Sequence, residues 1–307
     1  MTFVTSVWFR AGLSAALLGY LASQIDMAEA ARGILAITPA HLLTALALVV
    51  LDRALMICRW VLLIRRADMA LSLKSAVWVF LVGSYLGNFL PSGVGGDAAR
   101  AFVLARRTDR SIDSVALVAI DRYLGLYSLA LLSAAGLVVW TGQIDPSLQR
   151  WSVALAVVVT LGAGGLLWAD RLLAAVVPTR WTARTWVSRA LRLTEALGHY
   201  RTSPGLVSAL AALSMVVQII RVTQAWVLGD GLGIDVDFSY YLAFMPIGIL
   251  AILLPISIGG FGVAQGVIVW LLRPVGVPDA QSFALSTLYL LTGLVSTLPG
   301  AVLYMRS

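Results

Sequence analysis

Residues 90–97 read LPSGVGGD and residues 254–262 read LPISIGGFG, and both interrupt a hydrophobic stretch without supplying a loop. In each, Leu-Pro is followed after three residues by Gly-Gly, so Leu90, Pro91, Gly95 and Gly96 recur as Leu254, Pro255, Gly259 and Gly260 at a constant offset of 164 residues. Around each break the order is hydrophobic helix, interrupted pair, hydrophobic helix: 40–64, 74–107 and 114–140 first, then 206–229, 238–272 and 282–304. This reads as a repeat, approximately 1–140 and 151–304, within a single transmembrane domain spanning 1–307.

The composition requires a bilayer. Sixty per cent of the 307 residues are apolar and 12% charged, with a mean hydropathy of +0.91, which leaves too little polar surface to coat a water-soluble globule. Since about 20 apolar residues cross roughly 30 Å of hydrocarbon, the runs above, with 6–25 and 151–169, make an all-α polytopic membrane protein. Arg10 and the apolar residues 11–22 resemble a signal peptide, but Trp8 and Phe9 extend them into a membrane helix and cleavage is not expected. The net charge of +7 lies beside hydrophobic segments, which points to topology control and not to nucleic acid. Cys58 is the only cysteine, and His41 and His199 lack neighbours at metal-ligand spacing, so neither a disulfide within the chain nor a metal or other cofactor is expected.

Basic residues collect on the cytoplasmic side. Arg65, Arg66 and Lys74, then Arg100, Arg106, Arg107 and Arg110, then the arginines between 171 and 201 belong inside; the segments near Asp26 and Glu29, Asp145, Asp230 to Asp237, and Asp279 belong outside. The two sets alternate if 74–107 and 238–272 each enter the membrane and return, as re-entrant hairpins open to opposite faces. That leaves six full crossings, both termini cytoplasmic, and halves inverted in the inner (plasma) membrane. Two true crossings at each place satisfy the same rule, with eight or more helices. Residues 170–203, with Trp181, Trp186, Val187 and Leu191 among arginines, read as a cytoplasmic amphipathic connector.

Broken backbone survives at membrane depth only where protein or a water-filled cavity satisfies it, and paired breaks in inverted repeats point to a transporter's binding site. Pro91, Gly95, Gly96, Pro255, Gly259 and Gly260 are therefore candidates to shape and gate such a site. Intramembrane ionisable residues usually face a cavity or a partner. Arg53, Arg59 and Arg221 suit a phosphate held bidentately, although Arg59 is also placed to snorkel to the interface. Asn88, Asp97 and Arg100 flank the first break; Asp97 also suits a cap on the returning arm, and Asp97 and Arg100 share one side of a helix. Asp52 and Asp121 are carboxylates able to couple transport to protons, and Asp121-Arg122 equally suits a salt bridge to the hairpin.

The run GNFLPSGVGGDAARAFVLARR from Gly87 to Arg107, the DRYLG of 121–125 and the LPISIGGFGVAQG from Leu254 to Gly266 resemble the flippase-like membrane domain of lysylphosphatidylglycerol synthases and their stand-alone relatives. The resemblance covers nearly the whole chain. It implies a lipid-translocating domain whose relatives are linked to aminoacylated phospholipids, polyprenyl-linked sugars or hopanoid lipids. Two departures matter. Ala264-Gln265 stands where the family commonly has a charged pair, so a hydrogen bond from Gln265 is expected in its place or nothing; and no aminoacyl-transfer domain follows the last helix, so synthase activity is not carried over. The expected function is a lipid flippase or transporter for a polar-headed, anionic or aminoacylated lipid, with membrane lipids as partners and no enzymatic step. The alternatives are a scaffold for a separate lipid-modifying enzyme, or a lipid-linked glycosyltransferase using Asp26 and Glu29.

Overall fold

A computed structural model describes the chain except residues 1–6, 89–94, 141–149, scattered positions between 151 and 167, 178–183, 253–256, 258 and 307. Pro91 and Pro255, both expected at the breaks, lie outside the described residues. The helices are α1 (Val7–Gln24), α2 (Met27–Ala36), α3 (Pro39–Arg66), α4 (Leu73–Gly87), α5 (Gly95–Thr108), α6 (Ser111–Val139), α7 (Ala169–Val176), α8 (Thr185–Gly198), α9 (Pro204–Gly231), α10 (Phe238–Ile252), α11 (Val263–Leu272), α12 (Asp279–Val295) and α13 (Leu298–Met305). The described residues form no strand.

Helix starts follow local chemistry, and they do so twice. Pro39 and Pro204, whose fixed φ suits a first helical turn, open α3 and α9, each 28 residues long. Ser72 accepts from the Ser75 backbone N–H at the start of α4, and Asp237 accepts from that of Ser239 at the start of α10; α4 and α10 are each 15 residues. Both the prolines and the caps stand 165 residues apart. The hydroxyl and backbone N–H of Ser239 also hold the Asp237 carboxyl below its usual range.

Packing repeats the same pairing. The neighbours α3–α4, α4–α5, α5–α6 and α3–α6 have counterparts in α9–α10, α10–α11, α11–α12 and α9–α12. Between the halves α3 packs along α9, α6 packs on α10 as α13 packs on α4, and α6–α9 is matched by α3–α12. Two glycines permit the cross-half contacts: a Cβ on Gly136 would collide with the backbone of Leu242 and Ala243 in α10, and one on Gly300 with the backbone of Leu81 in α4. They too are 164 residues apart. Two apolar clusters form, one around Trp60, Phe80, Leu104 and Leu117, joined by Leu210 of α9, the other around Tyr241, Phe244, Ile268 and Leu285, joined by Ala45 of α3 and Leu129 and Leu132 of α6.

Among the described residues three segments are long and apolar enough to cross a bilayer, Ser111–Val139, Pro204–Gly231 and Asp279–Met305, and a fourth counts if α2 and α3, bent by 83°, form one span. The six expected crossings are thus resolved only to three or four: α3 enters with α2 across their bend, α1 does not reach the length and apolarity of a span, and much of 151–169 is undescribed. The segment near Asp26 and Glu29 is helix α2, where Asp26 accepts hydrogen bonds from Ala28 N at 2.9 Å and Glu29 N at 3.0 Å. In the connector, α8 packs on α6 and buries Val187 and Leu197 against the protein, whereas α7 leaves Leu172 and Val176 exposed.

Candidate functional site

α3 brings Asp52, Met56 and Arg59 to one face by their spacing of four and three residues, and that face meets α9. α9 carries on its inner face a polar stripe, Ser214, Gln218, Arg221 and Gln224, that repeats every three or four residues; Ser214, Gln218 and Gln224 are buried and Arg221 is half-buried. The two stripes interlock. Arg221 Nε donates to Asp52 Oδ1 at 2.8 Å while Arg53 Nε lies 3.9 Å from Asp52 Oδ2, so one carboxylate stands between two guanidiniums. The other end of each guanidinium meets sulfur: Arg221 NH2 lies 2.9 Å and Arg53 NH1 4.0 Å from Met56 Sδ.

A second network holds the first hairpin. Arg59 Nε donates to Asp121 Oδ1 at 2.8 Å and its NH1 to Ser214 Oγ at 2.8 Å. Arg100 of α5 reaches Asp121 Oδ2 at 3.1 Å and also binds Asp97, whose other oxygen lies 3.1 Å from Arg122. That last contact is an ion pair without hydrogen-bond alignment, since Asp97 Oδ2 accepts no hydrogen bond among the described residues. Arg100 also lies over two adjacent rings, 5.3 Å from the centre of Trp60 and 5.2 Å from that of Phe80, and its chain occupies the space that Gly83 leaves without a Cβ. Arg59 is 3% exposed, which removes the snorkelling reading. Asp97 sits in the first turn of α5 with its carboxylate given to arginines rather than to a cap. Together the two networks hold five arginines for three aspartates. Buried charge without a partner is expensive.

The surplus faces a cavity of about 670 Å³ lined by residues from both breaks: Gly87, Asn88 and Gly96 from the first, Ser257, Gly259 and Gly260 from the second. Asp52, Arg53, Arg100 and Arg221 line it as well. Arg59, Asp97, Asp121, Gly95 and Gln265 are outside the lining; the first three stand behind it in the second network. The breaks reach the cavity by different means. Gly95 and Gly96 are helical, and Gly87 needs no Cβ because Gly96 Cα would lie 2.5 Å from it. Gly260 instead has φ of +83°, a backbone that L side chains resist. Gln265 Oε1 then accepts from Gly262 N at 2.7 Å and caps α11, the hydrogen-bonded replacement expected for the charged pair.

The last span is itself broken beside the cavity, between α12 and α13. Ser296 and Thr297 there accept from Arg53 Nε at 2.9 Å and Asn88 Nδ2 at 2.8 Å, and one turn earlier Thr292 accepts from Gln224 at 2.8 Å. These polar side chains escaped the sequence reading, as did Gln218, Met56 and Ser257. The α9 stripe was available as helical spacing on either side of Arg221, and Gly136 with Gly300 as a further pair at the offset of 164. Ser257 had no signal beyond its place in the break.

Long apolar helices around a charged interior with a cavity define a multi-pass α-helical membrane protein. Residues 7–300 match the family described as the lysylphosphatidylglycerol synthase TM region, and the chain belongs to that family. It is a membrane protein of a lipid-handling family. No curated protein and no solved structure matches the chain.

Proposed function

We propose that this protein is a lipid flippase, moving a polar-headed lipid, anionic or aminoacylated, across the inner membrane without a covalent step. One observation carries the reading: both chain breaks open on a single cavity whose walls hold Arg53, Arg100 and Arg221 against Asp52. A headgroup sheltered there exchanges water for fixed donors, while the acyl chains stay in lipid. Arg53 and Arg221 bind the headgroup with Arg100 and Asn88. Arg59, Asp97 and Asp121 fix the first hairpin around it, and Asp52 and Asp121 are the carboxylates able to couple movement to protons.

The architecture proposed with it is an inverted repeat with six crossings, two re-entrant hairpins and cytoplasmic termini. Equal helix lengths, caps 165 residues apart and reciprocal contacts support the repeat. α4 and α10, at 15 residues, extend about 22 Å, short of the roughly 30 Å a crossing needs. A separate lipid-modifying enzyme would supply or consume the lipid. Of the two acids of the glycosyltransferase alternative, Asp26 caps α2 and Glu29 is exposed in its first turn.

The test is translocation of fluorescent lipids by the purified protein in liposomes. Arg221→Ala is expected to abolish movement while the protein stays folded; undiminished movement would remove the arginine clamp.

A further inference from the structure

The cavity is chemically one-sided. A lysyl or other ammonium-bearing headgroup needs a carboxylate to receive it, and the only carboxylate among the described lining residues is Asp52. Both of its oxygens already face arginines, Oδ1 towards Arg221 and Oδ2 towards Arg53. Asp97 and Asp121 stand behind Arg100 with their charge directed to arginines. An arriving cation would therefore meet guanidiniums first, and like charges in a low dielectric repel strongly.

Donors, by contrast, are left over. The thioether beside Arg221 NH2 and Arg53 NH1 is a weak acceptor and the poorest partner in either guanidinium's surroundings. Two further groups lining the cavity are buried without a hydrogen-bond partner among the described residues, the Arg100 Nε and the Ser257 hydroxyl; their residues are 7% and 4% exposed. One comes from the first hairpin and the other from the second. Leaving a buried donor unmade is costly, so this pattern describes a site completed by a ligand that brings acceptors and negative charge.

We infer that, given the translocation reading above, the cavity takes a lipid whose headgroup is net-anionic through a phosphate, held between Arg53 and Arg221 and reached by Ser257, and that it disfavours cationic aminoacylated headgroups. The phosphate oxygens take the place of Met56 Sδ as acceptors, and Ser257 ties the second hairpin to the same group. Occupancy thus links the two hairpins through one ligand.

The full-length protein in detergent, titrated with short-chain phosphatidylglycerol, lysyl-phosphatidylglycerol, phosphatidylcholine and inorganic phosphate, tests this by binding rather than by transport. Phosphatidylglycerol is expected to bind at least about tenfold more tightly than the lysyl lipid or phosphatidylcholine, the scale of one charged hydrogen bond. Ser257→Ala is expected to weaken it several-fold while leaving the melting temperature of the lipid-free protein unchanged, since that hydroxyl has no partner among the described residues to lose. Ser257→Asp is expected to shift the preference towards the lysyl lipid. Equal binding of the anionic and lysyl lipids overturns the inference, as does Ser257→Ala binding like the unaltered protein. Inorganic phosphate binding as tightly as phosphatidylglycerol overturns the lipid as its source. The flippase reading fails separately: selective binding of phosphatidylglycerol with no movement in liposomes upholds the inference and sinks transport, whereas equal binding of both lipids together with movement of both does the reverse.

Discussion

The helix pairs α4–α5 and α10–α11, the proposed hairpins, have matching neighbours in the packing and are held by opposite means. The first is clamped by ions: α5 sends Arg100 and Asp97 into a network with Asp121, Arg122 and Arg59. At the corresponding positions of the second half stand Ala264 for Arg100, Phe261 for Asp97, Leu285 for Asp121 and Gln224 for Arg59. There the hairpin rests on apolar packing, and the link between its flanking helices is the neutral hydrogen bond from Gln224 to Thr292. Ion networks are directional and fail when one member is lost; apolar contacts tolerate small shifts. The difference assigns ionic anchoring to the first pair of helices, whereas the second turns on glycines at positive φ.

The largest test makes the first half resemble the second. Asp121→Leu strands Arg59 and Arg100 and is expected to cost roughly 3–5 kcal/mol, read as a fall in melting temperature or a failure to accumulate folded protein. Changing the network together, as Arg59→Gln, Arg100→Ala and Asp121→Leu, removes the stranded charge and is expected to recover most of that loss while leaving transport impaired. A triple variant as unstable as the single one would break the comparison. Next come the crossings that both halves share. Gly136→Ala and Gly300→Ala each force a methyl group into a neighbouring backbone, and each is expected to cost about 1–3 kcal/mol; a large effect at one and none at the other would deny that the contacts are equivalent.

A smaller pair separates the two Gly-Gly motifs. Gly260→Ala imposes a left-handed backbone on a residue with a Cβ and is expected to cost about 1–2 kcal/mol, whereas Gly96→Ala, helical and only in ordinary contact with Gly87, is expected to be neutral or slightly stabilising. Equal effects on thermal stability would mean that the motifs act alike. Smallest is Gln265→Ala, which removes one cap from α11 for about 0.5–1.5 kcal/mol, visible as faster amide exchange near Gly262 before any change in melting temperature.

Much of this was legible because periodicity and punctuation are local. The runs 40–64, 114–140 and 206–229 lie inside α3, α9 and, within a residue, α6, and the offset of 164 marked both breaks before any geometry was known. What the sequence hid was partnership. Arg53, Arg59, Arg100 and Arg221 look alike in one dimension, and only the packing of α3 on α9 and α5 on α6 divides them into cavity-facing and network-bound residues. Nor does Gly-Gly announce what it does: in the first break the backbone of Gly96 leaves Gly87 no room for a Cβ, whereas in the second Gly259 and Gly260 themselves take a left-handed backbone. α2 was missed because its short apolar stretch follows two acidic residues whose commonest role in such a chain is to mark an outer loop; here Asp26 is the cap that starts the helix.

The central claim is that both breaks open on one hydrated, ligand-binding cavity. Ser84 in α4 and Ser257 in the second break line it, and each can be exchanged for cysteine singly after the exposed Cys58 is replaced by serine. With the protein in liposomes, a small water-soluble maleimide is expected to label both positions, and the same short-chain phosphatidylglycerol is expected to protect both. Labelling or protection at one position with the other indifferent would mean two separate sites, and the account of a shared cavity would be wrong.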